Sequence, residues 1–134
     1  MSSISLLVVE DDPKIAKLLC EVAAEAGFIV QSASGQKAIE AACAAIEPDI
    51  ITLDILMPDM DGMEVLQFLR ARYQRARIVI LSGSDGLSRR LAENLGTALG
   101  LVIEANLRKP FRMAEIRLIL EKAKMAIDVD RKIA

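Results

Sequence analysis

The chain has 134 residues, 53% of them hydrophobic and 27% charged, with a formal net charge of -2. That size and balance suit one soluble domain around one core; they exclude a disordered chain and supply no bulk charge for gripping nucleic acid or an anionic membrane. Histidine is absent, which removes the usual zinc sites, Ser-His-Asp catalysis and an internal phosphohistidine.

No apolar run reaches bilayer length, and the start MSSISLLVVEDD lacks the basic region of a signal peptide. A cytoplasmic location and no membrane contact are therefore expected. Cys20 and Cys43 both fall in helical patterns and are expected to stay reduced. In chain order, Ile4–Val9 reads as a first strand. Pro13 opens a helix to about Ala26, with Ile15, Leu18, Leu19, Val22 and Ala26 at helical spacing, and Gly27 stops it. Phe28–Ala33 reads as a second strand. Ser34 is placed to cap a helix over Gln36–Ile46, with Pro48 after its end.

Asp49–Asp54 is a third strand, almost entirely apolar until its last residue, and Met57 to Gly62 is loop chemistry. A helix from Met63 to about Tyr73 turns Val65, Leu66 and Leu69 inward. Arg77–Leu81 is a fourth strand, Ser82–Gly86 a loop, Leu87–Leu99 a helix and Leu101–Leu107 a fifth strand. Pro110 precedes a helix over Met113–Ala126. The polar stretch 128–134 either frays or continues it, so the domain is set at 1–127 with a tail or the start of a linker beyond. Strands alternating with helices imply a parallel sheet covered on both faces, and continuous apolar strands such as Leu6-Leu7-Val8-Val9 fit that burial.

Polar residues gather where these strands end. Glu10, Asp11 and Asp12 follow the first, Asp54 ends the third, Ser82 the fourth, and Lys109 follows the fifth. Ligands of open parallel sheets bind outside the carboxyl ends of the strands. Crowded carboxylates tolerate one another around a divalent cation, and oxygen ligands without histidine favour Mg²⁺ over zinc. Mg²⁺ and a lysine together suit a phosphoryl group, and a carboxylate can be the nucleophile that accepts it. Asp12, just before Pro13, reads better as a helix cap.

Four segments, Val8–Pro13, Leu53–Gly62, Leu81–Gly83 and Leu107–Phe111, together resemble the motif set of response-regulator receiver domains, in the right order over nearly the whole chain. The resemblance implies an α/β fold: a single doubly wound five-stranded parallel sheet of order 2-1-3-4-5, the CheY-like or flavodoxin-like (βα)5 form. It implies that Asp54 accepts a phosphoryl group and that Asp11 ligates Mg²⁺ directly, Glu10 acting mainly through water. Asp54 and the backbone carbonyl of Leu56 complete the metal set. Ser82 is the switch hydroxyl, Lys109 pairs with the phosphoryl group and with Asp54 before it, and the Gly83 N–H is a further donor. A cis Lys109–Pro110 peptide comes with the family form. The implied partners are a histidine kinase or phosphotransfer protein, a downstream output domain or protein, and a second copy through the face of the fourth helix, fifth strand and fifth helix. Such a domain catalyses only its own phosphorylation and dephosphorylation.

The sequence departs from the pattern in two places. Asn106 stands where the family usually carries Tyr or Phe, and Gly100–Leu107 is about two residues longer than the common form. That stretch resembles receivers attached to cyclic-di-GMP phosphodiesterase domains. Leu56 and Ser84 flank the expected phosphoryl position, and apolar Leu56 does not position an attacking water, so the aspartyl-phosphate is expected to last minutes or longer. Two rivals remain at this level. One is a receiver-fold binding module that works without phosphate, favoured by Asn106. The other is a phosphohydrolase with an aspartyl intermediate, disfavoured because Leu56 occupies the place of a second catalytic Asp.

Overall fold

The computed structural model describes residues 3–57, 60–72, 75–83 and 86–133, with the backbone alone at 56, 57, 60, 61 and 86–89. Expectations touching Pro58, Asp59, Tyr73, Ser84, Asp85 and Ala134 fall outside these residues. The elements are β1 (Ser5–Val9), α1 (Pro13–Glu25), β2 (Ile29–Ala33), α2 (Gln36–Ile46), β3 (Ile50–Asp54), β4 (Leu56–Met57), β5 (Met60–Asp61), α3 (Gly62–Arg72), β6 (Arg77–Ser82), α4 (Gly86–Ala98), β7 (Val102–Arg108) and α5 (Met113–Ile133). The main sheet is parallel with order β2-β1-β3-β6-β7. Once the two-residue strands β4 and β5 are set aside, that is the expected 2-1-3-4-5.

Burial follows the strand sequences. Central β1 and β3 are buried at every position, and β6 at all but Arg77. Edge strands β2 and β7 carry the polar residues Gln31, Ser32, Glu104 and Asn106. Successive side chains of a strand point to opposite faces, so two cores form. Leu7, Val9, Ile51, Leu53, Ile78 and Ile80 pack with Ile39, Leu66, Leu69 and Ala92 of α2, α3 and α4. Leu6, Val8, Ile50, Val79 and Leu81 pack with Leu19 and Ala23 of α1 and Ile116, Leu120 and Ala123 of α5.

Thr52 interrupts the second face. It lies between Val8 and Val79, is 1% exposed, and its hydroxyl has no hydrogen-bond partner among the described residues. An unpaired buried hydroxyl costs stability, and valine fills the same shape without it. Thr52→Val is expected to raise stability by about 1 kcal/mol, read as a higher urea midpoint at unchanged slope.

Several local features differ from expectation. The Asp12 carboxylate caps α1 as read, accepting from Lys14 N at 2.9 Å and Ile15 N at 3.4 Å. Ser34 does not cap α2. Gly35 takes that position at φ 88 with no side-chain cap bond, which leaves Ser34 one residue too far out. Within the stretch Met57 to Gly62 read as loop, Met57, Met60 and Asp61 join Leu56 in a small antiparallel pairing, Leu56 with Asp61 and Met57 with Met60. The extra length before Lys109 is absorbed by a β-bulge: Ile78 pairs with Ile103 and Val79 with Ala105, so Glu104 is the unpaired residue. Its carboxylate accepts from Arg77 at 2.9 Å.

Helix α5 runs to Ile133, so the stretch that could fray or continue the helix continues it. Ile127 is buried, Asp130 accepts from Arg77 at 3.1 Å, and Arg131 donates to Asp49 at 3.0 Å. These contacts pin the last turns to the amino-terminal edge of the sheet. Among the described residues, no helix is long and apolar enough to cross a membrane.

Candidate functional site

The register brings the strand ends level. Val9 pairs with Leu53, Asp54 with Leu81, and Ser82 with Arg108, so the residues that follow emerge at one edge. Glu10 is 3% exposed, Asp54 4% and Ser82 fully buried. Carboxylate oxygens of Glu10, Asp11 and Asp54 lie within 4.8 Å of one another. Lys109 Nζ donates to Glu10 Oε1 at 2.7 Å and to Asp54 Oδ2 at 3.2 Å. Its backbone N–H donates to Ser82 O at 2.7 Å, and the Lys109–Pro110 peptide is cis.

The electrostatics follow from this crowding. Burial pushes the Glu10 carboxyl from 4.5 up to about 7, with Asp54 raising it further and Lys109 opposing. Burial pulls Lys109 down, but Glu10 and Asp54 outweigh it, and the ammonium is held above its ordinary value. Three carboxylates facing one ammonium leave a surplus of negative charge in a site where Glu10 and Asp54 are buried and Asp11 is half-buried. An oxygen-only donor set of that kind fits a hard divalent cation such as Mg²⁺.

The structure thus brings Glu10, Asp11, Asp54 and Lys109 together, with Ser82 bonded through its backbone to Lys109. Gly83 lies beside the Lys109 stem, where an added Cβ would come to 3.8 Å from Lys109 Cβ. Leu56 begins β4 just past Asp54; its side chain and Ser84 lie outside the described residues. Two contacts had no signal in the sequence. Lys109 is closer to Glu10 than to Asp54. Asn106 Nδ2 donates to Glu93 Oε1 of α4 at 3.4 Å, which ties β7 to α4 at the position of the family's usual aromatic.

Gly62 packs tightly against Ile55. A Cβ there would lie 2.5 Å from Ile55 Cα and 2.9 Å from Ile55 O, both backbone atoms of the residue after Asp54. Gly62→Ala is expected to cost about 1–3 kcal/mol in urea unfolding. At Gly96 the nearest atom is the Ile103 Cδ1 tip at 2.6 Å, which can rotate away. Alanine also favours helix there, so Gly96→Ala should fall within about 1 kcal/mol of the parent.

Residues 6–121 match the family model described as the response regulator receiver domain. The chain belongs to this family. It is a receiver domain of the kind found in two-component response regulators, and receivers bind Mg²⁺ in an acidic pocket of the type seen at Glu10, Asp11 and Asp54. The response regulator MprA of Mycobacterium ulcerans is 32% identical over 131 residues, which cover 94% of this chain and 54% of that protein. The probable transcriptional regulatory protein TcrX of Mycobacterium tuberculosis is 29% identical over 119 residues, 87% of this chain and 48% of that one. The receiver chain therefore spans about half the length of these curated relatives. The chemotaxis response regulator CheY4 of Vibrio cholerae superposes with a TM-score of 0.76 at 23% identity, over 91% of this chain and 99% of that one, and shares the fold. The relatives named here carry the names of response and transcriptional regulators, so kinship with phosphodiesterase-linked receivers finds no support in them.

Proposed function

We propose that Asp54 accepts a phosphoryl group from the phosphohistidine of a kinase or phosphotransfer protein and thereby switches a partner-binding surface. The observation that carries this is the convergence of Glu10, Asp11, Asp54 and Lys109 at the carboxyl edge of the sheet. An Asp54 carboxylate oxygen attacks phosphorus, the phosphorus–nitrogen bond breaks, and the electron pair leaves with the donor imidazole. The Lys109 ammonium moves from the carboxylates to a phosphoryl oxygen. The Ser82 hydroxyl and the Gly83 N–H donate to the others. Glu10, Asp11, Asp54 and the Leu56 carbonyl would hold Mg²⁺, which when bound would supply positive charge against the transferring group.

The surface proposed to change is the face of α4, β7 and α5, which serves an output domain or protein, or a second copy. The reaction takes place in the cytoplasm and turns over no external substrate. Incubation with acetyl phosphate and Mg²⁺ is expected to add one phosphoryl group as a hydroxylamine-labile acyl phosphate. Chelating the metal with EDTA should prevent it. A chain that takes up no label with Mg²⁺ present would sink the proposal. The hydrogen bond from Asn106 to Glu93 favours a second reading, in which α4 is held in one position and partners bind without phosphate. That reading requires equal partner binding with and without label.

A further inference from the structure

Helix α5 carries two apolar faces. Ile116, Leu120, Ala123 and Ile127 are buried against the sheet. On the opposite side stand Leu118 at 56% exposed, Met125 at 68%, Val129 at 52% and Ile133 at 79%. Their spacing keeps them in one stripe, since each helical residue turns about 100°. An outward helix face in a monomer ordinarily carries charge. Three of the four residues lie beyond position 121, where the family match ends. Asp130 and Arg131 pin this part of the helix to Arg77 and Asp49, so the stripe is presented on a fixed element.

We infer that α5 pairs antiparallel, through this stripe, with α5 of a second copy of the chain. Lys122 sets the direction. It lies in the stripe between Leu118 and Met125. A parallel pair in register would set Lys122 against its own copy inside an apolar seam, adding like-charge repulsion to desolvation. In an antiparallel pair centred near Met125, Leu118 faces Ile133 of the second copy and the two Met125 side chains pack together. Lys122 then lies over Val129 of the second copy, with its ammonium free to reach water. The two-fold axis makes every contact occur twice. The flank beside the stripe adds complementary charge, because Glu121 of one copy comes opposite Lys132 of the other. Arg117 holds one oxygen of Glu121 within the chain at 3.2 Å, and the other is left for that lysine. The stripe faces away from Asp54, so pairing occurs without phosphate and stands or falls separately from the phosphoacceptor reading. It also differs from the α4–β7–α5 face, which includes exposed Leu91 and Val102.

Sedimentation equilibrium of the unphosphorylated chain is expected to show a mass that rises from one chain toward two with concentration. Met125→Glu and Val129→Glu should hold the mass at one chain with an unchanged circular dichroism spectrum, since both residues are exposed. Leu91→Glu should leave the dimer intact. Glu121→Lys should weaken it, and adding Lys132→Glu should restore it. In a Cys20→Ser background, Leu118→Cys chains mixed with Ile133→Cys chains should cross-link to each other. A one-chain mass at every concentration, a dimer that survives Met125→Glu, or Leu118→Cys chains that cross-link among themselves would each overturn the inference.

Discussion

Asp54→Asn is expected to take up no phosphoryl group from acetyl phosphate and Mg²⁺ under conditions that label the parent chain fully. The amide is a poor nucleophile, and no other described carboxylate is as well placed. Glu10 is equally buried but is held by Lys109 at 2.7 Å and by the Asp12 N–H at 3.3 Å. Asp11 stands at the rim. The same substitution should stabilise the metal-free protein. Asp54 is one of the groups that raises Glu10, and its removal leaves Glu10 and Lys109 as a matched pair. A gain of about 1 kcal/mol at pH 8 in EDTA is expected, fading below pH 5 where Glu10 is protonated either way. Label that persists in the variant, or a metal-free stability below that of the parent at pH 8, would show that Asp54 is not the centre of the charge cluster.

Lys109→Met should destabilise the metal-free chain in a pH-dependent way. Methionine keeps most of the apolar stem and removes the cation shared by two carboxylates that are 3% and 4% exposed. The sign follows from Glu10. Its folded pKa, about 7, lies above its ordinary 4.5, so the folded state binds more protons across that window. The parent therefore loses stability as pH rises from 4.5 toward 7 and levels off above. Without Lys109 the Glu10 carboxyl is pushed higher still, and the loss continues to higher pH. The gap between parent and variant should be small at pH 5 and reach about 2–3 kcal/mol at pH 8, somewhat below the usual cost of breaking a fully buried pair because Lys109 is partly exposed. Mg²⁺ should narrow the gap, since it stabilises the folded state by mass action and offsets the same charge. A gap independent of pH would mean that the stem, not the charge, matters. Rates of labelling should fall as well, because the ammonium no longer meets the phosphoryl oxygens.

Much of the architecture could be read from local pattern. The runs Leu6–Val9 and Ile78–Leu81 are apolar at every residue and Ile50–Leu53 at all but Thr52, which fits strands covered on both faces. The strand-end acids and Lys109 were legible because the topology of a parallel sheet puts all such residues at one edge. What the sequence did not disclose depends on partners far along the chain. Gly35 rather than Ser34 heads α2 because the entering backbone takes positive φ there, and Ser34 looks equally suitable until the turn is known. The bulge at Glu104 is set by register against β6. Residues 128–133 read equally as fraying or as more helix, and the choice is made by Arg77 and Asp49, more than fifty residues away in the chain, which hold them in the helix. Likewise the bond from Asn106 to Glu93 follows from how α4 lies on β7, which no spacing within either segment records.

The clamp at the far end of α5 has a mechanical consequence. The helix starts a few residues after Lys109 and ends about 30 Å away, fastened at Asp130 and Arg131. Ile116 and Leu120 hold its near end in the core, while Asp130 and Arg131 tie its far end to Arg77 and Asp49. The helix is thus a strut joining the two edges of the sheet, tied by packing at one end and by charge at the other. Replacing Arg77 and Arg131 together by alanine would remove the charged ties and leave the far end held by the burial of Ile127.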